Sequence, residues 1–182
     1  RLRSRGLGDV YKRQPPDMPF AGRPGQLDFT RFNPAYFRRF EQDVQALLER
    51  GVEADVILFH FYDFGRWGIN PGMSTRDDLL YIRYMAARLS AFRNIWWCMA
   101  NEYDLLLTPL SENDHTVDCL SGLKEWDTLG KALRSADPYG HLCAIHNFTV
   151  GNVPHYDWLT HIVFQNANTY AAVLDFKAKY QK

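Results

Sequence analysis

Four polar clusters follow directly on apolar runs: His60, Tyr62 and Asp63; Asn101, Glu102 and Asp104; His146 and Asn147; and Gln165, Asn166 and Asn168. Carboxyl, amide and imidazole groups of this kind can move protons and bind hydroxyls. The strongest local signal is Trp96-Trp97-Cys98-Met99-Ala100-Asn101-Glu102. An apolar run that ends in Asn-Glu sets a carboxyl against low-dielectric walls, which raise its pKa toward the range of a general acid. Cleavage of a glycosidic bond needs such an acid, and the neighbouring amide can hydrogen-bond a sugar 2-hydroxyl, a contact that strengthens in the transition state. The same dipeptide also suits a helix N-cap with a first-turn carboxylate, so the pair alone does not decide.

Tyr62, Trp67, Trp97, Tyr103 and Trp158 fall at or just past the ends of these runs, where rings beside polar groups can stack on sugar faces. Core packing is the competing reading and suits Trp97 better. Trp67, between Gly65 and Gly68, belongs to a loop and reads as exposed. His60 and His146 with Glu102 and Asp63 could be drawn as a metal site, but neither HxH nor HExxH occurs. They read as hydrogen-bonding histidines, and no metal is expected. Asp77 and Asp78 read as dipole partners opening a helix, while Glu112, Asp114 and His115 fall in a polar loop and take no role. Without a GxSxG elbow, and with no serine or cysteine placed to serve the histidines, acyl transfer is set aside.

The elements that would hold these clusters alternate. Asn33 and Pro34 read as an N-cap with proline at N1, and Phe37, Phe40, Val44, Leu47 and Leu48 repeat at helical spacing up to Gly51. Ala54 to Phe61 is nearly continuous in apolar residues, as in a parallel strand covered on both faces. A second helix opens at Ser74 or Thr75 and carries Leu79, Ile82, Met85, Ala86 and Leu89 on one stripe. Asn94 to Ala100 is the second strand. Leu123, Trp126, Leu129 and Leu133 mark a third helix, closed by Asp137, Pro138 and Gly140. His141 to Ile145 and Leu159 to Gln165 read as two more strands, and a last helix starts near Tyr170. Residues 15 to 33, rich in Pro and Gly, read as an irregular loop.

Continuous apolar strands separated by helices imply a parallel α/β sheet. An open doubly wound sheet would normally show a phosphate-binding glycine turn, and neither GxGxxG nor GxxxxGK[ST] is present. The (β/α)8 barrel is the expected architecture, and strand-end clusters would then share the face where barrel active sites sit. A barrel runs to about 250 residues, about 31 per βα unit, so 168 residues supply about five units.

Those 168 are what remain of 182 after the first fourteen. Residues 1–14 carry five basic groups without an apolar period, and their wording, RLRSRGLGDVYKRQ, resembles translated adapter sequence of the kind found in metagenomic assemblies. They are expected to be a non-native or disordered tail, with 15–182 an incomplete catalytic domain. The apolar pattern Val173, Leu174, Phe176 and Tyr180 runs into Lys182 like a helix cut short. The chain balances 21 Lys+Arg against 21 Asp+Glu, which leaves no basic field for nucleic acid. Its mean hydropathy is −0.37, and no run suits a membrane helix or signal peptide. Cys98, Cys119 and Cys143, too few and scattered for a disulfide framework or zinc cage, read as free thiols.

The succession Phe32-Asn33-Pro34 with Tyr36-Phe37, then Ala54-Asp55-Val56-Ile57-Leu58-Phe59-His60, Tyr62-Asp63, Arg93-Asn94, Trp96-Trp97 and Ala100-Asn101-Glu102-Tyr103-Asp104 resembles the apiosidase-like glycoside hydrolases. Asp137-Pro138-Tyr139-Gly140-His141 through Ile145-His146-Asn147 continues the likeness. The resemblance implies a (β/α)8 barrel of the large retaining clan, here about strand three to helix six. It implies Glu102 as acid/base, following strand four, with Asp104 a rival two positions on. The nucleophile would follow strand seven and lie beyond Lys182. Asn101, His60, Tyr62, Asp63, Trp67, Asp104, His146, Asn147 and Gln165 would contact an oligosaccharide or polysaccharide side chain. No cofactor is implied. A carbohydrate-binding or structural barrel without chemistry is the alternative.

Overall fold

A computed structural model of the chain describes residues 17–23, 25–60, 73–104, 124–147 and 155–164, together with 170, 171, 174 and 178. The expected tail at 1–14 lies outside them. Among the described residues the fold is mixed α/β, with three helices and parallel strand pairs preceded by a hairpin, and residues 170, 171, 174 and 178 are helical where the sequence expects its last helix.

The hairpin corrects the expectation of a loop over residues 15 to 33. Strands β1 (Phe20–Arg23) and β2 (Gln26–Phe32) pair antiparallel, with Arg23 opposite Gln26 and Gly25 at φ 79 in the connection. Gly22 and Gly25, among the residues that suggested loop, have positive φ at the turn between two strands. The register shifts between Phe20 and Ala21, so residues 29–31 bulge, and Asp28 Oδ1 accepts from the Thr30 amide and hydroxyl. That irregularity hides the strand alternation in the sequence. The hairpin is anchored by its rings: Phe20 is fully buried against Phe29, Phe32 and Tyr81, and Phe32 stacks on Tyr84 at 3.9 Å between centroids.

Helix α1 (Pro34–Glu49) starts as its sequence dictates, with Asn33 Oδ1 accepting from the Ala35 amide and Pro34 needing no donor. It buries Phe37 and Val44. Gly51, at φ 66, turns the chain into β3 (Ala54–Phe59). Helix α2 (Thr75–Leu89) opens with a capping box, in which the Asp77 amide donates to Ser74 Oγ while Asp77 accepts from the Ser74 amide. Arg88 forks onto Glu41 at 2.5 and 2.7 Å and ties α2 to α1.

Asp77 and Asp78 both stand in the first turn of α2, as the sequence expects, but Asp78 has a second partner. It is buried, and Lys124 donates to both its oxygens at 2.5 and 2.7 Å and to the Met73 carbonyl at 3.1 Å. The pair clamps the start of α2 to the approach of α3. Burial outweighs Lys124 and pushes the Asp78 carboxyl up to about 6.

Strand β4 (Ile95–Ala100) lies parallel to β3, Asp55 facing Trp96 and Phe59 facing Ala100. Helix α3 (Trp126–Ala136) then leads to β5 (Cys143–Ala144), which pairs parallel with β4. Asp137 organises this return. It accepts from Trp97 Nε1 at 3.1 Å, from the Tyr139 and His141 amides, and meets His141 Nδ1 at 3.0 Å. His141 Nε2 reaches the Phe92 carbonyl at 3.1 Å, so the end of α3 is tied to the chain entering β4. The expected strand from His141 to Ile145 is therefore shorter and shifted, because its first residues serve this turn. Past Ile145, β6 (His146–Asn147) pairs parallel with β7 (Val163–Phe164), which replaces the longer Leu159 to Gln165 run. Parallel strands succeed one another in chain order.

The expectation that β3 is covered on both faces is also corrected. Val56 and Leu58 are buried, but Asp55 and Ile57 alternate with them and are exposed, Ile57 at 39%. The face of Val56 and Leu58 is covered, while that of Asp55 and Ile57 is open up to Phe59, which is fully buried against Tyr81 and Trp126.

Candidate active site

Successive strand ends build the site. The Asn101 amide donates to the Phe59 carbonyl at 3.0 Å, which extends the β3–β4 ladder one residue past β4 and sets Asn101 beside the end of the strand that leads to His60. Two residues on, the Tyr103 amide donates to the His146 carbonyl at 2.9 Å. These two bonds stretch Asn101 to Asp104 across the ends of β3, β4 and β6.

Between them Glu102 has φ 46, the one positive φ outside glycine among the described residues. A left-handed glutamate is costly, and such conformations persist where surrounding structure fixes them, often at functional sites. Its carboxyl is half-buried. Burial raises its pKa, the nearby Asp104 charge raises it further, and His146 opposes both. Asp104 is fully buried.

His146, also buried, bridges elements. Its Nδ1 lies 3.1 Å from Asn101 Oδ1 and its Nε2 lies 3.1 Å from Asp55 Oδ2. Asn147 follows it, fully buried. The structure thus brings Asn101, Glu102, Asp104, His146 and Asn147 to one place, with His60 at the adjoining strand end. Tyr62, Asp63, Trp67 and Gln165 lie outside the described residues.

Sequence reasoning missed Asp55. The signal was present, a carboxylate inside the apolar run Ala54-Asp55-Val56-Ile57-Leu58-Phe59, but it was absorbed into the strand. Asp55, Cys98 and His146 also place donor atoms within 4.8 Å of one another, in place of the metal grouping drawn from sequence. Hydrogen bonding accounts for this trio: Asp55 faces His146, and the Cys98 thiol donates to the Ala100 carbonyl at 3.2 Å. Burial drives that thiol far above its ordinary pKa. Cys98 and Cys143 are free and buried.

Of the five aromatics that the sequence places at strand ends, the three among the described residues, Trp97, Tyr103 and Trp158, are buried. Trp97 is fully buried on Asp137, and Tyr103 meets Trp126 edge-on at 6.3 Å. Trp158 stacks on Tyr156 and lies over Gly130, where an added Cβ would come within 2.1 Å of its Cε2.

No helix among the described residues is long and apolar enough to cross a membrane. A solved structure of a candidate glycoside hydrolase from Bacteroides vulgatus ATCC 8482 matches with TM-score 0.76 and 34% identity, over 94% of this chain and 34% of that one. A glycoside hydrolase family 5 structure from the same organism gives TM-score 0.47 and 18% identity, over 68% of this chain and 24% of that one. The curated proteins give no match. The chain spans about a third of the length of the first of these structures. The family model for the apiosidase-like catalytic domain matches residues 9–182, and the chain belongs to that family.

Proposed function

We propose that this chain carries the acid/base half of a retaining glycosidase site in a (β/α)8 barrel, acting on side chains of plant or bacterial polysaccharides. The observation that carries the reading is Glu102, a half-buried carboxyl at a parallel strand's end, held in a left-handed conformation with its pKa raised by burial and by Asp104. A carboxyl so poised can stay protonated until a leaving group needs the proton. The parallel order of β3, β4, β5 and then β6, β7 supports a barrel wall.

In the first step Glu102 donates its proton to the glycosidic oxygen while a second carboxylate attacks the anomeric carbon, breaking the bond to the leaving group. In the second, the ionised Glu102 takes a proton from water, whose oxygen displaces the enzyme carboxylate and restores both groups. Asn101 binds the sugar 2-hydroxyl. Asp104, fully buried beside Glu102, acts through its charge rather than as the acid itself. The second carboxylate, about 5.5 Å from Glu102 in a retaining site, is assigned to the portion of the domain that this chain does not span.

The test is a chimera in which this chain replaces the segment it matches in the Bacteroides vulgatus protein, assayed with that protein and with the 182-residue chain on aryl glycosides and pectic oligosaccharides. The reading expects turnover by the chimera, none by the chain alone, and loss on Glu102→Gln. Turnover by the parent protein and by the chimera that is indifferent to Glu102→Gln refutes it.

A further inference from the structure

We propose that Asp55 is a positioning residue for this site: it holds the His146 ring, and the ring holds the Asn101 side chain. The inference deepens the glycosidase reading and rests on it for its consequence, though not for its geometry.

Asp55 is an ionisable residue in a strand that otherwise has a purely apolar sequence, Ala54–Phe59, and it stands on the open face with Ile57. Its partner is buried. His146 opens β6 and touches β3 through Asp55 and the segment after β4 through Asn101, both at 3.1 Å. One ring therefore joins three stretches of chain that are far apart in sequence. Cys98, on β4, lies against the same pair, with its thiol committed to the Ala100 carbonyl.

Each ring nitrogen faces an oxygen, Nε2 that of the Asp55 carboxylate and Nδ1 that of the Asn101 amide, so the ring is held from both sides. The consequence reaches Asn101. With Oδ1 bound to the ring, the amide cannot turn over, and its Nδ2 hydrogens are the groups left to meet a sugar hydroxyl oxygen. Glu102 stands beside this arrangement, and His146 counters the upward push that burial and Asp104 give its carboxyl. A carboxylate orienting an imidazole that in turn serves a catalytic group follows the logic of a hydrolase triad, here with an amide as the group held.

The experiment reads the ring directly in the 182-residue chain. Long-range 1H–15N spectra at about pH 6 resolve the histidine ring nitrogens, and His146→Gln assigns the signals of this residue. Asp55→Asn should shift the Nε2 signal and the Asn101 side-chain amide signals together, with an unchanged thermal transition. Asn101→Ala is the second variant and approaches from the other end: it should move Nδ1 and leave Nε2 in place. Ring signals indifferent to both variants overturn the proposal whatever the activity. In the chimera, Asp55→Asn should lower kcat/KM about tenfold on a glycoside with a 2-hydroxyl and leave its 2-deoxy analogue unaffected. Equal losses on both would show that Asp55 does not act through Asn101. Coupled ring signals with no turnover by the wild-type chimera, when the parent protein is active, would leave the positioning intact and remove the glycosidase reading.

Discussion

Glycine at position 102 should make the fold more stable than alanine does, the reverse of the usual order. Glu102 sits at φ 46, where an L-residue pays about 1–2 kcal/mol because its Cβ crowds the following carbonyl. Glycine escapes that strain but gains freedom in the unfolded chain, which costs about 0.5–1 kcal/mol. The balance favours glycine by about 0.5–1 kcal/mol. Both Glu102→Gly and Glu102→Ala remove the carboxyl, so its burial and its repulsion from Asp104 cancel in the comparison. For a protein of 182 residues, 1 kcal/mol corresponds to about 2–4 °C in Tm. Differential scanning calorimetry of the two variants should place the glycine variant about 1–4 °C above the alanine variant. A transition at the same temperature or lower for glycine would mean that the backbone at 102 is not left-handed, and the argument that this residue is held in place for function would go with it.

Asp78→Asn should flatten the pH dependence of stability between about pH 4 and 6. Its folded-state pKa of about 6 lies above the unfolded value of 3.8, so the native state holds a proton the unfolded chain has lost, and stability falls by about 2–3 kcal/mol as pH rises through that window; urea titrations at several pH values measure it, and an unaltered slope in the variant contradicts the assignment. Lys124→Met should cost about 3–5 kcal/mol at pH 7 because it strands the buried Asp78 charge, and the same titrations should show it milder at pH 4. Gly130→Ala, despite the better helix propensity of alanine, should destabilise by about 1–3 kcal/mol by displacing Trp158, with a change in tryptophan fluorescence as its signature. Asp137→Ala should cost about 3 kcal/mol, since it leaves Trp97 Nε1 and two backbone amides without their acceptor; a loss under 1 kcal/mol in denaturant unfolding would show that the turn into β5 is held by other contacts.

Local chemistry was the part of the fold that the sequence spelled out. Asn33-Pro34, Ser74 with Asp77, and Gly51 act on neighbours within a few residues, and the helices begin and turn where those signals stand. The apolar runs likewise marked β3 and β4 to within two residues at either end. What stayed hidden depends on contacts between distant segments. The hairpin before α1 has its alternation broken by the bulge at residues 29–31, and its rings are secured by Tyr81 and Tyr84 on α2, some fifty residues away. Asp78 matches a first-turn dipole residue until Lys124 arrives from the far side of a long connection. The open face of β3 could not be read from Ala54–Phe59, since Ile57 is as apolar as its buried neighbours. At the site, Asn101, Glu102 and His146 were legible because each ends an apolar run. Asp55 was not, because its meaning depends on a ring ninety-one positions later.

The most direct test of the account is a leaving-group series on the chimera. Aryl glycosides with leaving-group pKa values from about 4 to 10 should be hydrolysed by the Glu102→Gln variant with a steep loss in kcat/KM for the poor leaving groups, about 10²–10⁴-fold, and little loss for the best, because only the former need a proton in the first transition state, while kcat falls for all of them because the second step has lost its base. Azide should restore turnover of the activated substrates. A flat loss in kcat/KM across the series, or a full rate in Glu102→Gln with the steep loss appearing in Asp104→Asn instead, would contradict the assignment of Glu102 as the acid/base.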